Sequence, residues 1–260
     1  MKGLKARIRR GETLLGCWLN LGHSLTAEIV GMAGFDWVLI DLEHGSGAES
    51  DVLHQLQALE HTPAAAIVRV ESRERQRVHR ALDLGAEGIM FPQTRHVEEA
   101  LQAADAMRYQ PEGARGAARM VRATGFGANF NAYYVNSKQH LVGIVQVETK
   151  EILDSLDAVA AIDGVDVLFI GPTDLALALG TFGQAHHPRF LGAIEAAAAA
   201  ARKAGKAAGI LLPSLEEFNT YYERGFRFLA CGSDVGFVNS GARKMAEDLG
   251  RLRSAMNAPT

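Results

Sequence analysis

Cysteine is scarce in this 260-residue chain, which has only Cys17 and Cys231. Two cysteines do not make a disulfide scaffold, so we expect a reduced, cytoplasmic protein with both thiols in its core. No apolar run approaches the roughly 20 residues of a membrane helix, and the basic first ten residues lack the apolar stretch of a secretory signal. These absences argue against a secreted or membrane-embedded protein, and we predict no membrane partner.

An excess of charge of either sign is also missing. Lysine and arginine total 27 against 30 aspartates and glutamates, which gives a formal net charge of −3. Such a balance offers no general footprint for nucleic acid, so we predict no nucleic-acid partner. With 48% apolar and 22% charged residues, the composition is that of an ordinary globular protein. The length suits one domain covering residues 1–260.

Short apolar runs alternate with helical patterns along the whole chain. Runs of this kind are typical of parallel strands buried on both faces. The eight predicted strands are 14–19, 37–42, 66–70, 88–91, 142–147, 165–170, 207–211 and 227–231. The predicted helices are 26–33, 49–60, 74–84, 96–107, 150–160, 188–203, 215–224 and 239–256.

Eight strands that are each followed by a helix, within about 250 residues, match a (β/α)8 TIM barrel. A doubly wound open sheet is the alternative, which is weakened because no GxGxxG motif follows the first strand. Residues 108–139 form the one long connection, and we expect it to serve as a lid or an interface. The simplest interpretation of the last helix is that it packs as the eighth outer helix of its own barrel.

In such a barrel the chemistry lies at the carboxyl ends of the strands. The side chains that we place there, in strand order, are Trp18, Asn20, Asp41, Glu43, His44, Arg69, Gln93, Gln146, Glu148, Thr173, Asp174, Leu212, Ser233 and Asp234. The set has five carboxylates, one histidine and one arginine. No lysine ends a strand, so a Schiff-base mechanism has no obvious nucleophile.

Glu148 and Asp174 end consecutive strands, which lie about 4.8 Å apart in a sheet. Two carboxylates that close repel each other unless one is protonated or a cation lies between them. Oxygen ligands of this kind suit Mg²⁺ or Mn²⁺. The alternative is structural: Asp174 caps a helix that starts at Leu175, and Glu148 begins the next helix.

Arg69 and His44 are the basic groups of the predicted mouth. A guanidinium inside an apolar strand must be paired or must face the mouth, where its planar fork suits a carboxylate or a developing enolate oxygen. Asp41 and Glu43 are its candidate ion-pair partners. The same two carboxylates, or Asp83, could hold His44 in one tautomer and make it more basic. An exposed histidine in a turn is otherwise ordinary polar surface.

Several segments together resemble the HpcH/HpaI aldolase family, from about residue 16 to residue 249. They are FDWVLIDLEHG, RALDLGAEGIMFPQ, GARGAAR, VLFIGPTDLA and ACGSDVGFVNSGAR. The resemblance implies a class II pyruvate aldolase on a (β/α)8 barrel that uses Mg²⁺, Mn²⁺ or Co²⁺. It would cleave a 4-hydroxy-2-oxo acid from aromatic or sugar-acid catabolism into an aldehyde and pyruvate, or a close 2-oxo acid such as hydroxypyruvate. It also implies a homohexamer, built as a trimer of dimers with exchanged C-terminal helices.

The same resemblance implies a role for each matching position. Glu148 and Asp174 would bind the metal, Gln146, Thr173 and Asp174 the substrate, and His44 with Asp83, Arg69 and Asp41 would form the catalytic group. Trp18, Leu212 and the GARGAAR segment are expected to select the aldehyde. Glu71 stands where many family members have proline, which bears on substrate preference.

Three other functions use parts of the same site. Decarboxylation of oxaloacetate or lysis of an acyl-CoA would share the metal and Arg69, although only Arg115, Arg119 and Arg122 are available for a large nucleotide. A glycosidase would use two carboxylates about 5 Å apart without a metal. A keto-acid sensor would need no base, so His44 argues against it.

Overall fold

The computed structural model describes residues 2–256, and within them eight parallel strands close into a barrel in sequence order. They are β1 (Leu14–Leu19), β2 (Trp37–Asp41), β3 (Ala65–Arg69), β4 (Gly88–Phe91), β5 (Val142–Val147), β6 (Val167–Ile170), β7 (Ala207–Leu211) and β8 (Phe226–Ser233). Because β1 pairs with both β2 and β8, the sheet has no free edge. The predicted (β/α)8 barrel is confirmed, and the open-sheet alternative is wrong.

Helices surround this barrel. They are α1 (Leu4–Arg9), α2 (Ser24–Met32), α3 (Glu49–Leu59), α4 (Arg75–Leu84), α5 (Val97–Met107), α6 (Phe130–His140), α7 (Leu156–Ala161), α8 (Pro172–Ala178), α9 (Pro188–Lys203), α10 (Phe218–Glu223) and α11 (Asp234–Met256). No helix within residues 2–256 combines the length and apolar character that crossing a membrane would take.

Several helices differ from the sequence-based prediction. The predicted helix 215–224, for example, starts as a 3-10 turn, Leu215–Glu217, before α10 begins. The long connection contains α6, which buries only Tyr133 and Ser137 and so carries no clear apolar stripe to reveal it. The predicted helix 150–160 starts as a 3-10 turn, Glu151–Ser155, before α7 begins. The last helix, α11, begins five residues before the predicted position 239. Turn-forming residues and tertiary contacts determine these helix boundaries. The spacing of apolar residues along the sequence therefore does not predict them.

Aromatic side chains fill the barrel beneath its carboxyl end. Trp37 stacks on Phe228 with ring centroids 4.1 Å apart, and Trp18 lies 5.5 Å from Phe169. A Cβ at Gly16 would stand 2.1 Å from the Trp37 ring, so only glycine leaves room for that indole. This aromatic layer forms an apolar floor for the cavity above it.

Helix α11 leaves the barrel instead of lying along it. Its first residue, Asp234, is buried and accepts hydrogen bonds from the backbone N–H of Asn20 at 2.8 Å and from Thr26 Oγ1 at 3.1 Å. After that residue its large apolar side chains are exposed: Val235, Phe237, Val238, Met245, Leu249, Leu252 and Met256. The interpretation that this helix packs as the eighth outer helix of its own barrel is therefore wrong.

Candidate active site

A cavity of about 540 Å³ opens at the carboxyl ends of the strands. The predicted site residues that line it are Trp18, Asp41, His44, Arg69, Gln146, Thr173, Asp174 and Leu212. Glu148 lies behind this wall and is 2% exposed. The structure therefore brings together nine of the ten predicted site residues, and Asp83 is the exception.

Asp41 holds the corner where β2 meets β3. The two strands are in register at Asp41 and Arg69, and the guanidinium donates two hydrogen bonds to the carboxylate, at 2.8 and 2.7 Å. The same carboxylate accepts from Asn20 Nδ2 at 2.8 Å and from the backbone N–H groups of Glu43 and His44 at 3.0 and 3.3 Å. With five donors and no exposed surface, the carboxylate is fully committed to positioning its neighbours.

Arg69 is buried, and its charge is matched on several sides. Besides Asp41, its Nη1 lies 3.0 Å from Glu43 Oε2 and 3.4 Å from Gln146 Oε1. A buried guanidinium is tolerated only with such pairing. Since Arg69 also lines the cavity, it is both ion-paired and mouth-facing, and the two interpretations of the sequence do not compete.

His44 stands at the rim, with its side chain 67% exposed. The carboxylate beside it is Glu43, whose Oε2 lies 3.9 Å from His44 Nε2. Burial raises the pKa of Glu43, and Arg69 opposes that rise. The following residue must be glycine, because a Cβ at Gly45 would lie 2.1 Å from the carbonyl oxygen of Asp41.

The prediction that Asp83 partners His44 is not met within this chain. Asp83 lies in the last turn of α4, where its Oδ1 accepts from Arg115 Nη2 at 2.7 Å. Helices of a (β/α)8 barrel run back against the strands, so the end of α4 lies at the face opposite the mouth. Arg115 is buried beneath the rings of Tyr109 and Tyr133, at 4.5 and 5.4 Å from their centroids.

Glu148 is oriented from two sides. Its Oε1 accepts from the backbone N–H of Gln93 at 2.6 Å and from Gln93 Nε2 at 3.3 Å, and its Oε2 accepts from Gln146 Nε2 at 2.9 Å. A Cβ at Gly171 would lie 2.2 Å from Oε2, so the glycine keeps that side open. Burial raises the pKa of the Glu148 carboxyl to about 7, and the nearby charge of Asp174 adds to the rise.

The mouth of the barrel has more acidic side chains than basic ones to balance them. Asp41, Glu43, Glu148 and Asp174 face the single guanidinium of Arg69. Within the described residues, no group of three histidine, cysteine, aspartate or glutamate side chains forms a cation cage. Two hard carboxylate donors and an uncompensated charge fit a divalent ion whose other ligands are water or substrate oxygens.

Sequence reasoning placed Asn20 and Gln93 near the mouth without giving them roles. The position of Asn20 follows from strand order, but its bond to Asp41 does not. Gln93 adopts a positive φ of 50°. Asparagine and glycine are the residues that usually mark this conformation, so no sequence pattern predicts it for a glutamine. No sequence pattern predicts that Gly171 lies close to Glu148, either.

A closed parallel barrel with an acid-rich mouth built around one arginine defines an enzyme of the (β/α)8 class. Residues 14–240 match the family described as HpcH/HpaI aldolase/citrate lyase. The chain belongs to that family, as the sequence motifs predicted, and it is a carbon–carbon lyase.

Known relatives extend over nearly the whole chain. A protein of Enterobacter sp. (strain 638), named 5-keto-4-deoxy-D-glucarate aldolase, is 39% identical over 243 residues, which cover 94% of each chain. An HpcH/HpaI aldolase/citrate lyase family protein from Burkholderia cenocepacia J2315 is 38% identical with a TM-score of 0.90, covering 96% of this chain and 99% of that one. The HpcH/HpaI aldolase from Desulfitobacterium hafniense DCB-2 is 25% identical with a TM-score of 0.87, at 98% and 97% coverage.

Proposed function

We propose that this enzyme catalyses the divalent-metal-dependent, reversible aldol cleavage of a 4-hydroxy-2-oxo acid into an aldehyde and pyruvate, or a close 2-oxo acid. The observation that carries the proposal is the buried Arg69, fixed by Asp41 at the wall of a cavity that also contains Asp174. A rigid cationic donor beside carboxylates of the kind that hold a divalent ion supports the proposal, because both would stabilise a developing enolate.

The name of the Enterobacter relative suggests a substrate. Counted from its keto end, 5-keto-4-deoxy-D-glucarate is a 4-hydroxy-2-oxo acid. Cleavage of its C3–C4 bond gives pyruvate and 2-hydroxy-3-oxopropanoate. We take this dicarboxylic sugar acid as the first candidate.

Glu148 and Asp174 would hold the cation, which we propose to be Mg²⁺, Mn²⁺ or Co²⁺. When bound, it would supply Lewis-acid polarisation of the 2-oxo group. Gln146 and Thr173, which line the same cavity, would bind the 2-oxo acid, and Trp18 and Leu212 would shape the aldehyde side.

The proton steps would belong to His44. Its imidazole accepts the proton of the C4 hydroxyl, and the O–H electron pair forms the aldehyde carbonyl as the C3–C4 bond breaks. The electron pair of the C3–C4 bond passes into the pyruvate enolate. Arg69 donates hydrogen bonds to the enolate oxygen, and a proton delivered to C3 completes pyruvate. Asp41 acts through Arg69 as a positioning residue.

The test is pyruvate release from a 4-hydroxy-2-oxo acid by EDTA-treated enzyme before and after Mg²⁺, Mn²⁺ or Co²⁺ is restored. We expect activity to vanish with the chelator and to return with metal. Asp174→Asn should abolish it, and the exposed Asp154→Asn should not. Full activity without metal would overturn the metal site, whereas decarboxylation of oxaloacetate without aldol cleavage would favour the decarboxylase.

We also propose that the enzyme is a homo-oligomer, a hexamer by family resemblance, assembled through α11. The exposed apolar residues of α11, together with Leu25, Ile29 and Met32 of α2, support a second copy as the partner. Light scattering should give about six times the protomer mass of 28.0 kDa. Leu249→Lys combined with Leu252→Lys should reduce it, Arg251→Gln should not, and a monomeric wild type would contradict the proposal.

A further inference from the structure

The backbone at Gln93 is in an unfavourable conformation. The residue follows β4 and Pro92. Its φ of 50° lies in the left-handed region that residues other than glycine and asparagine rarely adopt. Within residues 2–256 only one other non-glycine residue, Phe126, has a positive φ, at 52°. Such conformations persist only where the surroundings enforce them, and they are concentrated at functional sites.

This conformation turns two donors toward one oxygen. The backbone N–H and the Nε2 of Gln93 both donate to Glu148 Oε1, at 2.6 and 3.3 Å. The next residue, Thr94, is buried, and its carbonyl accepts from Thr149 Oγ1 at 2.8 Å. The segment after β4 is therefore fastened to Glu148 and to the residue that follows it, Thr149. Of the two bonds from Gln93 to Glu148, the backbone makes the shorter one.

We infer that Gln93 is a positioning residue for the metal-binding carboxylate: its left-handed backbone directs an N–H at Glu148 Oε1 and so orients the carboxylate toward the cation. The inference rests on the metal site of the proposed function. Outer groups that orient a metal ligand typically contribute 10–100-fold to metal affinity. Because the backbone makes the shorter bond, the conformation matters more than the identity of the side chain.

The experiment compares Mn²⁺ binding, measured by the EPR signal of the free ion, among variants that differ in how well they hold a positive φ. Gln93→Gly keeps both the conformation and the N–H, so it should bind Mn²⁺ nearly as tightly as the wild type. Gln93→Val cannot hold a positive φ without strain, and its dissociation constant should rise about 10–100-fold. Phe126→Val imposes the same backbone strain at the exposed Phe126 and should leave Mn²⁺ binding unchanged.

Equal binding by Gln93→Val and the wild type would overturn the inference, as would a Gln93→Gly variant as weak as Gln93→Val. If Gln93→Val does not fold, Gln93→Ala must bind more weakly than Gln93→Gly, and equal binding by these two would also overturn it. If the inference is overturned in any of these ways, the proposed function still stands provided that Glu148→Gln removes Mn²⁺ binding. A wild type that binds no Mn²⁺, or a Glu148→Gln variant that binds it normally, removes the metal site and this inference together.

Discussion

Replacement of Asp41 by asparagine should damage both stability and catalysis, because one carboxylate organises the corner around Arg69. The substitution exchanges a charged acceptor for an amide whose N–H₂ group faces the guanidinium in either orientation, because Arg69 donates to both carboxylate oxygens. Removal of one partner of a buried ion pair costs about 3–5 kcal/mol, and the lower end applies because Glu43 still pairs with Arg69 at 3.0 Å. A loss of about 3 kcal/mol corresponds to a fall in Tm of roughly 6–12 °C.

The catalytic rate of the Asp41→Asn enzyme should fall by more than the loss of folding stability can explain. With Arg69 misaligned, we expect kcat to drop about 10²–10³-fold, the usual effect of losing one charge-stabilising donor. Calorimetry and pyruvate-release kinetics on the same preparation measure both quantities. Glu43→Gln is the matched control, since it removes only one contact of Arg69 and should change Tm less. A D41N enzyme with wild-type Tm and kcat would refute the account of Asp41 as the positioning carboxylate.

Three further outcomes are expected. Because burial raises the pKa of Glu148 to about 7, protons should compete with the cation below that pH, and Mn²⁺ titrations should show affinity falling by up to about tenfold per pH unit; pH-independent affinity would contradict this. Arg69→Lys keeps the charge but loses the fork, so kcat should fall about 10²–10³-fold with Mn²⁺ affinity retained; unchanged kinetics would remove Arg69 from the mechanism. Gly171→Ala places a Cβ 2.2 Å from Glu148 Oε2 and should cost about 1–3 kcal/mol in urea unfolding, whereas Gly192→Ala, with no atom within 4 Å, should be neutral or stabilising; equal effects would refute the contact.

The order of strands was predictable from the sequence because each buried strand leaves a short apolar run in the chain. The mouth residues followed from that order, since parallel strands deliver their ends to one face. Asp83 does not reach His44 within the chain because the last turn of α4 lies at the opposite face, a direction that the position of Asp83 in the sequence does not reveal. The orientation of the Glu148 carboxylate could not be predicted from the sequence. It depends on the φ of Gln93 and on the absence of a side chain at Gly171.

The pairing that closes the barrel joins Leu14 in β1 to Phe228 in β8, nearly the full length of the chain apart. During synthesis one edge of the first strand therefore stays unpaired until the last strand, β8, has left the ribosome. The Asp234 carboxylate, which fastens the loop after β1 through the backbone of Asn20 and Leu21, arrives later still. A nascent chain that stops before residue 234 therefore lacks a complete active-site mouth. We expect catalytic activity to appear only after this residue has been added, and not to increase gradually with chain length.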